Sequence, residues 1–492
     1  MVETNIFDCS RVIAVSCAGK GQRSLQELGA MDRILRYSTV LNGAITWNPD
    51  SPIDKPEERD NAAMRKSYRT VCIERDRLTA CLLEEIRASH PDSISVHFNI
   101  ACVNASLESS ETGSAWTLQM YNRSGDERQE RVAWGEPGQG LGLGSRESGK
   151  EFSVRAAFLV GADGANSIVR DAMVQLALAD RQLSPKSPRR PFRFKVHRFE
   201  DTNVRLYRTI PLYPPFPSSS SSSLPQNQSF QWKRNMSYSA RVQSDVNLEA
   251  LPGPPGLGVF LGVVLFRPTD RRVTSLASAE DARAFFQALF PAFLPCLRQQ
   301  DLARFAAKKD RKFPRFLFVG PVLHHYRAGA GAGAGAGAVL LGDSAHTVKP
   351  FFGLGVNSAF EDVCELGRAI RGAGGALGTA LQTYSQVRAS EARELVQLSR
   401  GFDGGFLSFV LPIILDSLFH RALPGLFAAN AISLMQNDQY SYGQVRARKR
   451  RDRVGQVLLL SLAAALSAAV AKVAWQGARS LLPRLWGLLR PV

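Results

Sequence analysis

Two carboxylates, each closing an apolar run and each followed by glycines, are the side chains of this sequence best placed to do chemistry. Asp343 ends Val339-Leu-Leu-Gly, and Asp163 ends Phe158-Leu-Val-Gly-Ala and is followed by Gly164 and, seven residues on, Arg170. An apolar run that stops at such a pair predicts a buried strand closing at a turn. After Asp343, Pro350, Gly353 and Gly355 punctuate a loop. Val356, Ala359, Phe360, Val363, Leu366 and Ile370 then recur at helical spacing, so a helix is expected to start near Gly355. This order aims backbone N–H groups and the positive end of a helix dipole at whatever lies over the loop. A dinucleotide suits it: Asp343 can accept hydrogen bonds from sugar hydroxyls, and the glycines permit close backbone approach. Around Asp163, a strand over Ala157–Val160 and a helix from about Ser167 would place Asp163 and Arg170 about one turn either side of the helix start. On these residues alone, an ordinary strand, turn and helix of an unrelated α/β fold remains the alternative.

The chain that must position these turns has 492 residues, 45% of them hydrophobic, enough for two or three domains with sizeable cores. Its net charge is +17. The basic residues are scattered and no nucleic-acid-binding module is visible, so nucleic acid is not the expected partner. The densest basic run, Arg446–Arg453, precedes an apolar stretch, Val454–Ala471, whose only polar side chains are Gln456, Ser461 and Ser467. Eighteen residues is about the minimum for a membrane span. A C-terminal anchor over residues 454–476 is expected, on a basic, anionic-lipid-facing flank; a buried or interfacial helix is the alternative, because alanines such as Ala463, Ala464, Ala465, Ala468 and Ala469 dilute the run. The seven cysteines are widely spaced without Cys-x-x-Cys and read as reduced. Met1–Asp8 is short and polar and does not read as a signal peptide. Residues 1–190 and 305–400 are expected to form a discontinuous cofactor domain and 191–304 an antiparallel sheet, with strands over Phe192–His197, Val204–Thr209 and Val259–Phe266. A strand is expected over Ile94–Val103, a long hairpin or loop over 112–150, and low-complexity loops over Ser218–Ser223 and 328–338. Helices and the basic stretch fill 401–453. His324, His325 and His346 lack metal-ligand spacing and read as satisfied surface or helix-start histidines, and no metal site is expected.

The Asp343 and Asp163 strings, some 180 residues apart and in this order, resemble the two signature motifs of the FAD-dependent aromatic hydroxylases. Pro350-Phe-Phe-Gly353, Val356-Asn357 and Phe360-Glu-Asp362 are most similar to the kynurenine-hydroxylating branch, and the resemblance covers roughly residues 10–400. It implies an α/β, Rossmann-like FAD domain, an antiparallel-sheet substrate domain and a C-terminal helical or membrane segment. It further implies that FAD is held by Arg75, the backbone at Cys102, Asp163, Gly164, Arg170, Asp343, Pro350, Gly353, Gly355, Val356 and Asn357, with the Asp163 motif also serving NADPH. On residues alone, a solvated helix-start arginine is the lesser alternative for Arg75. The implied reaction takes NADPH and O2 and places one oxygen atom on an electron-rich aromatic ring. The cofactor carries that chemistry, so no catalytic side chain is assigned. The family's Gly-x-Gly-x-x-Gly strand would lie before Met1, so the FAD domain is expected to lack its first βα unit. Where the family anchors its substrate, the aligned positions fall at Ala44, near Arg400 and near Ile432; Arg400 is the remaining candidate for a substrate carboxylate. A hydroxylase of kynurenine, a hydroxylase of another aromatic, and a non-catalytic membrane-attached relative all stay open. A cytosol-facing place on the outer mitochondrial membrane follows from the resemblance alone.

Overall fold

The computed structural model describes residues 14–17, 19–60, 69–110, 113–123, 151–183, 194–216, 230–242, 245–329, 335–350, 353–404 and 410–488. Residues 1–400 with 436–438 form one compact unit, and 401–435 with 439–492 a second.

In the first unit, β1 (Ala14–Cys17) runs antiparallel to β5 (Val71–Glu74), which also pairs with β2 (Thr39–Val40). Helices α1 (Gly19–Glu27), α2 (Met31–Arg36) and α3 (Arg75–Ser89) share a core with this sheet, built from Cys17, Leu25, Ile34, Val71, Ile73 and Leu78. A second sheet is the meander β6 (Ile100–Ser110), β7 (Gly113–Asn122), β8 (Glu151–Ala156). The strand expected over Ile94–Val103 begins only at Ile100. Ile94, Val96 and Phe98 alternate, but all three are exposed with no strand beside them, and Asn99 turns the chain at φ 58°. Within the expected 112–150 loop, 124–150 lie outside the described residues.

The turn-forming strands lie side by side. β9 (Phe158–Gly161) is parallel to β18 (Ala336–Leu340), with Leu340 opposite Gly161, and β18 also pairs with β17 (His324–Arg327). All of β18 is buried, as befits a strand covered on both faces. It starts inside the run expected to be a loop through 338. A Cβ on Gly337 would stand 3.0 Å from Leu381, so a small residue lets the following helix lie close. Helix α4 (Ile168–Leu183) follows β9; a 3-10 turn (Gly342–Ser344), then α8 (Leu354–Gly372) and α9 (Leu377–Gly401), follow β18. Val169, Met173, Val339, Leu341, Leu366, Leu381 and Tyr384 weld these into one core.

The large sheet has the order β15 (Arg311–Lys312), β11 (Leu206–Leu212), β14 (Phe260–Phe266), β13 (Asn247–Pro252), β12 (Met236–Arg241), β3 (Gly43–Trp47), β4 (Glu57–Asp60). It is antiparallel except for the parallel β12–β3 pair. Two expectations are corrected here. Gly43–Trp47, placed by sequence in the cofactor domain, belongs to this sheet: β12 pairs with it, and its alternating burial comes from Ile45 and Trp47 packing into the helix-covered core. The Phe192–His197 segment becomes β10 (Phe194–Arg198) in another sheet, beside β16 (Leu317–Pro321) and β19 (His346–Thr347). One face of the large sheet packs on α5 (Arg271–Thr274), α6 (Ala279–Leu289), the 3-10 helix Pro291–Cys296 and α7 (Gln299–Ala307), through Trp47, Tyr238, Phe260 and Val264 against Phe285, Phe286, Phe293 and Phe305. The six described cysteines are free thiols, five of them buried.

The second unit holds α10 (Leu411–Ala422), α11 (Ala431–Gln436) and α12 (Tyr442–Leu488). Pro412 sits in the first turn of α10, where a missing N–H costs nothing. The buried Asp416 receives Lys449 at 3.3 Å, Arg453 at 3.2 Å and the Gln456 amide at 3.2 Å, and Lys449 also meets Asp452 at 2.8 Å. Part of the basic stretch is therefore turned inward. From Val457 to Gln476 every side chain is exposed, and α12 is long and apolar enough to cross a membrane.

Candidate functional site

The two motifs, distant in sequence, are bolted together at their turns. Ser344 Oγ lies 2.5 Å from the Gly161 carbonyl and 2.7 Å from that of Leu341. Arg170, nearly fully buried, donates from Nη1 to the Ser344 carbonyl at 3.3 Å. Burial pushes the Arg170 pKa down, with Asp171 opposing. Asp163 caps α4 through Oδ2, accepting from Ile168 N at 2.7 Å and Val169 N at 3.3 Å, while Gly164 takes φ 81°. Cys102 stands at a bulge in β6; burial and the Asp163 carboxylate together push its thiol up, which makes the two electrostatic neighbours.

Asp343 behaves differently from Asp163. Its carboxylate is half-buried and receives no hydrogen bond from any described residue, and burial pushes its pKa above the usual range, with His346 pulling it back. Its Oδ1 lies 3.9 Å from where a Cβ on Gly355 would stand, so it faces the first turn of α8. Gly353 caps that helix at φ 70°, and a Cβ there would sit 2.6 Å from the Ser16 carbonyl, so both conformation and space demand glycine. The buried Asn357 side chain donates to the Ser16 carbonyl at 3.1 Å and the Gly353 carbonyl at 2.7 Å, clamping α8 to the end of β1. Val356 packs into the core shared with β5 and α3. Arg75, the first residue of α3, is exposed beside Asp76 at 3.3 Å, and Pro350 is exposed. Arg400 ends α9 with its guanidinium 3.9 Å above the Phe199 ring. No described contact joins it to the Asp343 turn.

Sequence reasoning missed the support beneath this loop. Asp362, fully buried on α8, accepts from Gly342 N at 2.8 Å and from Arg388 Nε at 2.7 Å, and its Oδ2 lies 2.7 Å from His346 Nε2. Burial alone would raise its pKa, but His346 and Arg388 pull it down to about 2. His346 is thus a buried hydrogen-bond partner of Asp362, not the surface or helix-start residue expected. The available signal was a carboxylate at a helical position whose spacing to Leu366 and Ala369 buries it, a placement that demands a partner. On β17 His325 is buried and His324 half-buried; His324 Nδ1 lies 2.6 Å from Ser385 Oγ, and burial pushes both imidazoles down to about 4. Among the described residues no cluster of His, Cys, Asp and Glu could hold a metal ion.

Comparison with known proteins agrees with this geometry. The FAD binding domain family profile matches residues 334–399, the stretch from β18 through α9. Kynurenine 3-monooxygenase of Mycosarcoma maydis is 25% identical over 333 residues, 65% of this chain and 51% of the relative. The enzyme of the same name from Dictyostelium discoideum is 29% identical over 219 residues, 44% and 38% of the two chains. The chain spans about half the length of the first curated relatives it matches. A solved structure, the tetrameric form of 2-methyl-3-hydroxypyridine-5-carboxylic acid oxygenase, shares the fold at TM-score 0.50 and 16% identity over 87% of this chain and 88% of that one. Both turns meet under one loop, the FAD binding domain profile covers one of them, and the chain is similar over part of its length to FAD-dependent monooxygenases.

Proposed function

We propose that the chain is an FAD- and NADPH-dependent aromatic-ring hydroxylase of the kynurenine type. The observation that carries this reading is the Asp343 carboxylate: desolvated, unmatched by any described donor, and set against a glycine-lined helix start. Those residues suit the middle of a flavin. Asp343 would accept the ribityl hydroxyls, Gly353 and Gly355 would admit the ring system, and the N–H groups of Val356 and Asn357 would face its electron-rich edge. Arg75, the Cys102 backbone, Asp163, Gly164 and Arg170 would hold the rest of FAD and receive NADPH. Bound FAD supplies the redox chemistry that places one oxygen atom of O2 on the ring. What this chain contributes is orientation, exclusion of water, and a rigid floor through Asp362 and Arg388. The aromatic substrate would lie between the large sheet and the Asp343 loop, with Arg400 available to a substrate carboxylate. Helix α12 would anchor the chain in a membrane, by resemblance the outer mitochondrial one, with the flavin unit facing the cytosol.

A second reading, a flavin-binding relative that does not turn over kynurenine, is favoured by Ala44, which stands on β3 where the resemblance expects an arginine anchor. Detergent-solubilised full-length chain should be loaded with FAD and assayed for kynurenine-stimulated NADPH oxidation and 3-hydroxykynurenine. Stimulated oxidation with product supports the first reading. Flavin retained without stimulation supports the second, and a chain that retains no flavin defeats both.

A further inference from the structure

A single row crosses the large sheet at right angles to its strands: Glu57, Thr46, Ser239, Glu249, Val263 and Thr209, each opposite the next. Directly opposed residues share a face. Their neighbours along the strands, among them Ile45, Ala240, Leu248, Ala250, Val264 and Ile210, point into the helix-covered core. By alternation the row points to the other face. At its centre Thr46 Oγ1 and Ser239 Oγ lie 2.9 Å apart, and Glu249 stands beside them.

Glu249 makes no hydrogen bond or ion pair with any described residue, although it sits mid-sheet on β13. Its surroundings push its carboxyl up to about 7, with Arg241 opposing, yet the side chain is not sealed from water. Of the residues facing it, Ser239 and Arg241 come from β12, Val263 and Leu265 from β14, and Asn247 and Leu251 from its own strand; Arg241 is the charged one among these six. The far end of β13 abuts the sheet that carries α3, where Thr39 Oγ1 donates to the Gly253 carbonyl at 3.1 Å. The row therefore lies on the sheet that approaches the Arg75 helix start. A carboxyl with no hydrogen bond from any described residue, and with Arg241 as its one charged neighbour among these six, is costly to fold around, and an apolar side chain would pack there at less expense. A ligand that brings a positive charge to Glu249 would offset that cost.

We propose that Glu249 selects the substrate: its carboxylate, flanked by the Ser239 and Thr46 hydroxyls, receives the alkylammonium group of an arylalkylamine. This rests on the reading that an aromatic substrate lies against this face of the sheet.

The test uses the full-length chain in detergent and two probes of nearly equal shape, 2-phenylethylamine and 2-phenylethanol, with affinities taken from ligand-observed NMR titration. At pH 8 the amine should bind about tenfold more tightly than the alcohol, equivalent to about 1.4 kcal/mol. The preference should shrink at pH 6, because the amine stays protonated while a carboxyl titrating near 7 becomes neutral. Glu249→Gln and Glu249→Leu should each remove the preference, and Glu57→Gln, at the exposed end of the row, should keep it. Equal affinities in the parent chain, a preference that survives in Glu249→Gln, or no amine binding at either pH would overturn the proposal. Flavin content and NADPH oxidation are measured on the same samples. A chain that prefers the amine but holds no flavin refutes the hydroxylase reading alone, and one that holds flavin without the preference refutes Glu249 alone.

Discussion

The buried trio Asp362, Arg388 and His346 allows a quantitative test of what holds the Asp343 loop in shape. Asp362 accepts the Gly342 amide that sets the turn, and its carboxylate is paired with Arg388 Nε at 2.7 Å with both side chains almost wholly buried. Removing one member of such a pair strands the other charge in the core, at about 3–5 kcal/mol. The depression of the Asp362 pKa from 3.8 to about 2 gives an independent figure. At 1.36 kcal/mol per unit, it is worth about 2 kcal/mol. Because the folded pKa is the lower one, this stability is fully present above about pH 4 and is lost as pH falls towards 2. A double-mutant cycle on Asp362→Asn and Arg388→Met, read by urea unfolding through the buried Trp116, should show each single change costing about 3–5 kcal/mol. The double change should cost at least about 2 kcal/mol less than the sum. Costs that add to within about 0.5 kcal/mol would refute the coupling, and an unchanged acid limb below pH 4 in Asp362→Asn would refute the linkage.

Three further outcomes are expected. Asp343→Ala should weaken FAD binding about tenfold to hundredfold, the value of one charge-assisted hydrogen bond of about 1.5–3 kcal/mol; equal flavin affinity in mutant and parent would remove Asp343 from the site. Gly353→Ala forces a left-handed alanine, at about 1–2 kcal/mol, and a clash with the Ser16 carbonyl, so both flavin affinity and melting temperature should fall; a mutant matching the parent in both would show that the loop tolerates a side chain. Truncation after Val457 keeps the Asp416 cluster and should release a folded, detergent-free chain into the soluble fraction. A full-length chain that is already soluble without detergent would dispose of the anchor.

The parts legible in the sequence were those specified locally. Val339–Asp343 and Phe158–Gly164 announced strands and turns through their own residue order, and glycine with helical spacing placed the α8 start near Gly355, one residue from its observed start at Leu354. Non-local pairings were hidden. Nothing within Gly43–Trp47 says that it will lie parallel to Met236–Arg241, because that register is set by a covered face built almost two hundred residues later. Phe194–Arg198 alternates like its neighbours in sequence, yet pairs with Leu317–Pro321. At the site, Asp343 and Asp163 looked equivalent; only the fold distinguishes a carboxylate consumed in capping α4 from one left without a donor. Arg388 carried no motif at all, and its role emerges from the packing of α9 on α8.

Helix α12 leaves its small unit without a break. From Tyr442 to Gln476 it runs 35 residues with no proline, about 50 Å at 1.5 Å per residue. Its first turns are pinned by Asp416 to Lys449, Arg453 and Gln456. Such a stalk is a lever and not a leash. With its tip embedded in a bilayer, any tilt or rotation of the apolar half would pass undiminished to the Asp416 cluster, so membrane thickness and curvature would become mechanical inputs to the unit that carries the stalk.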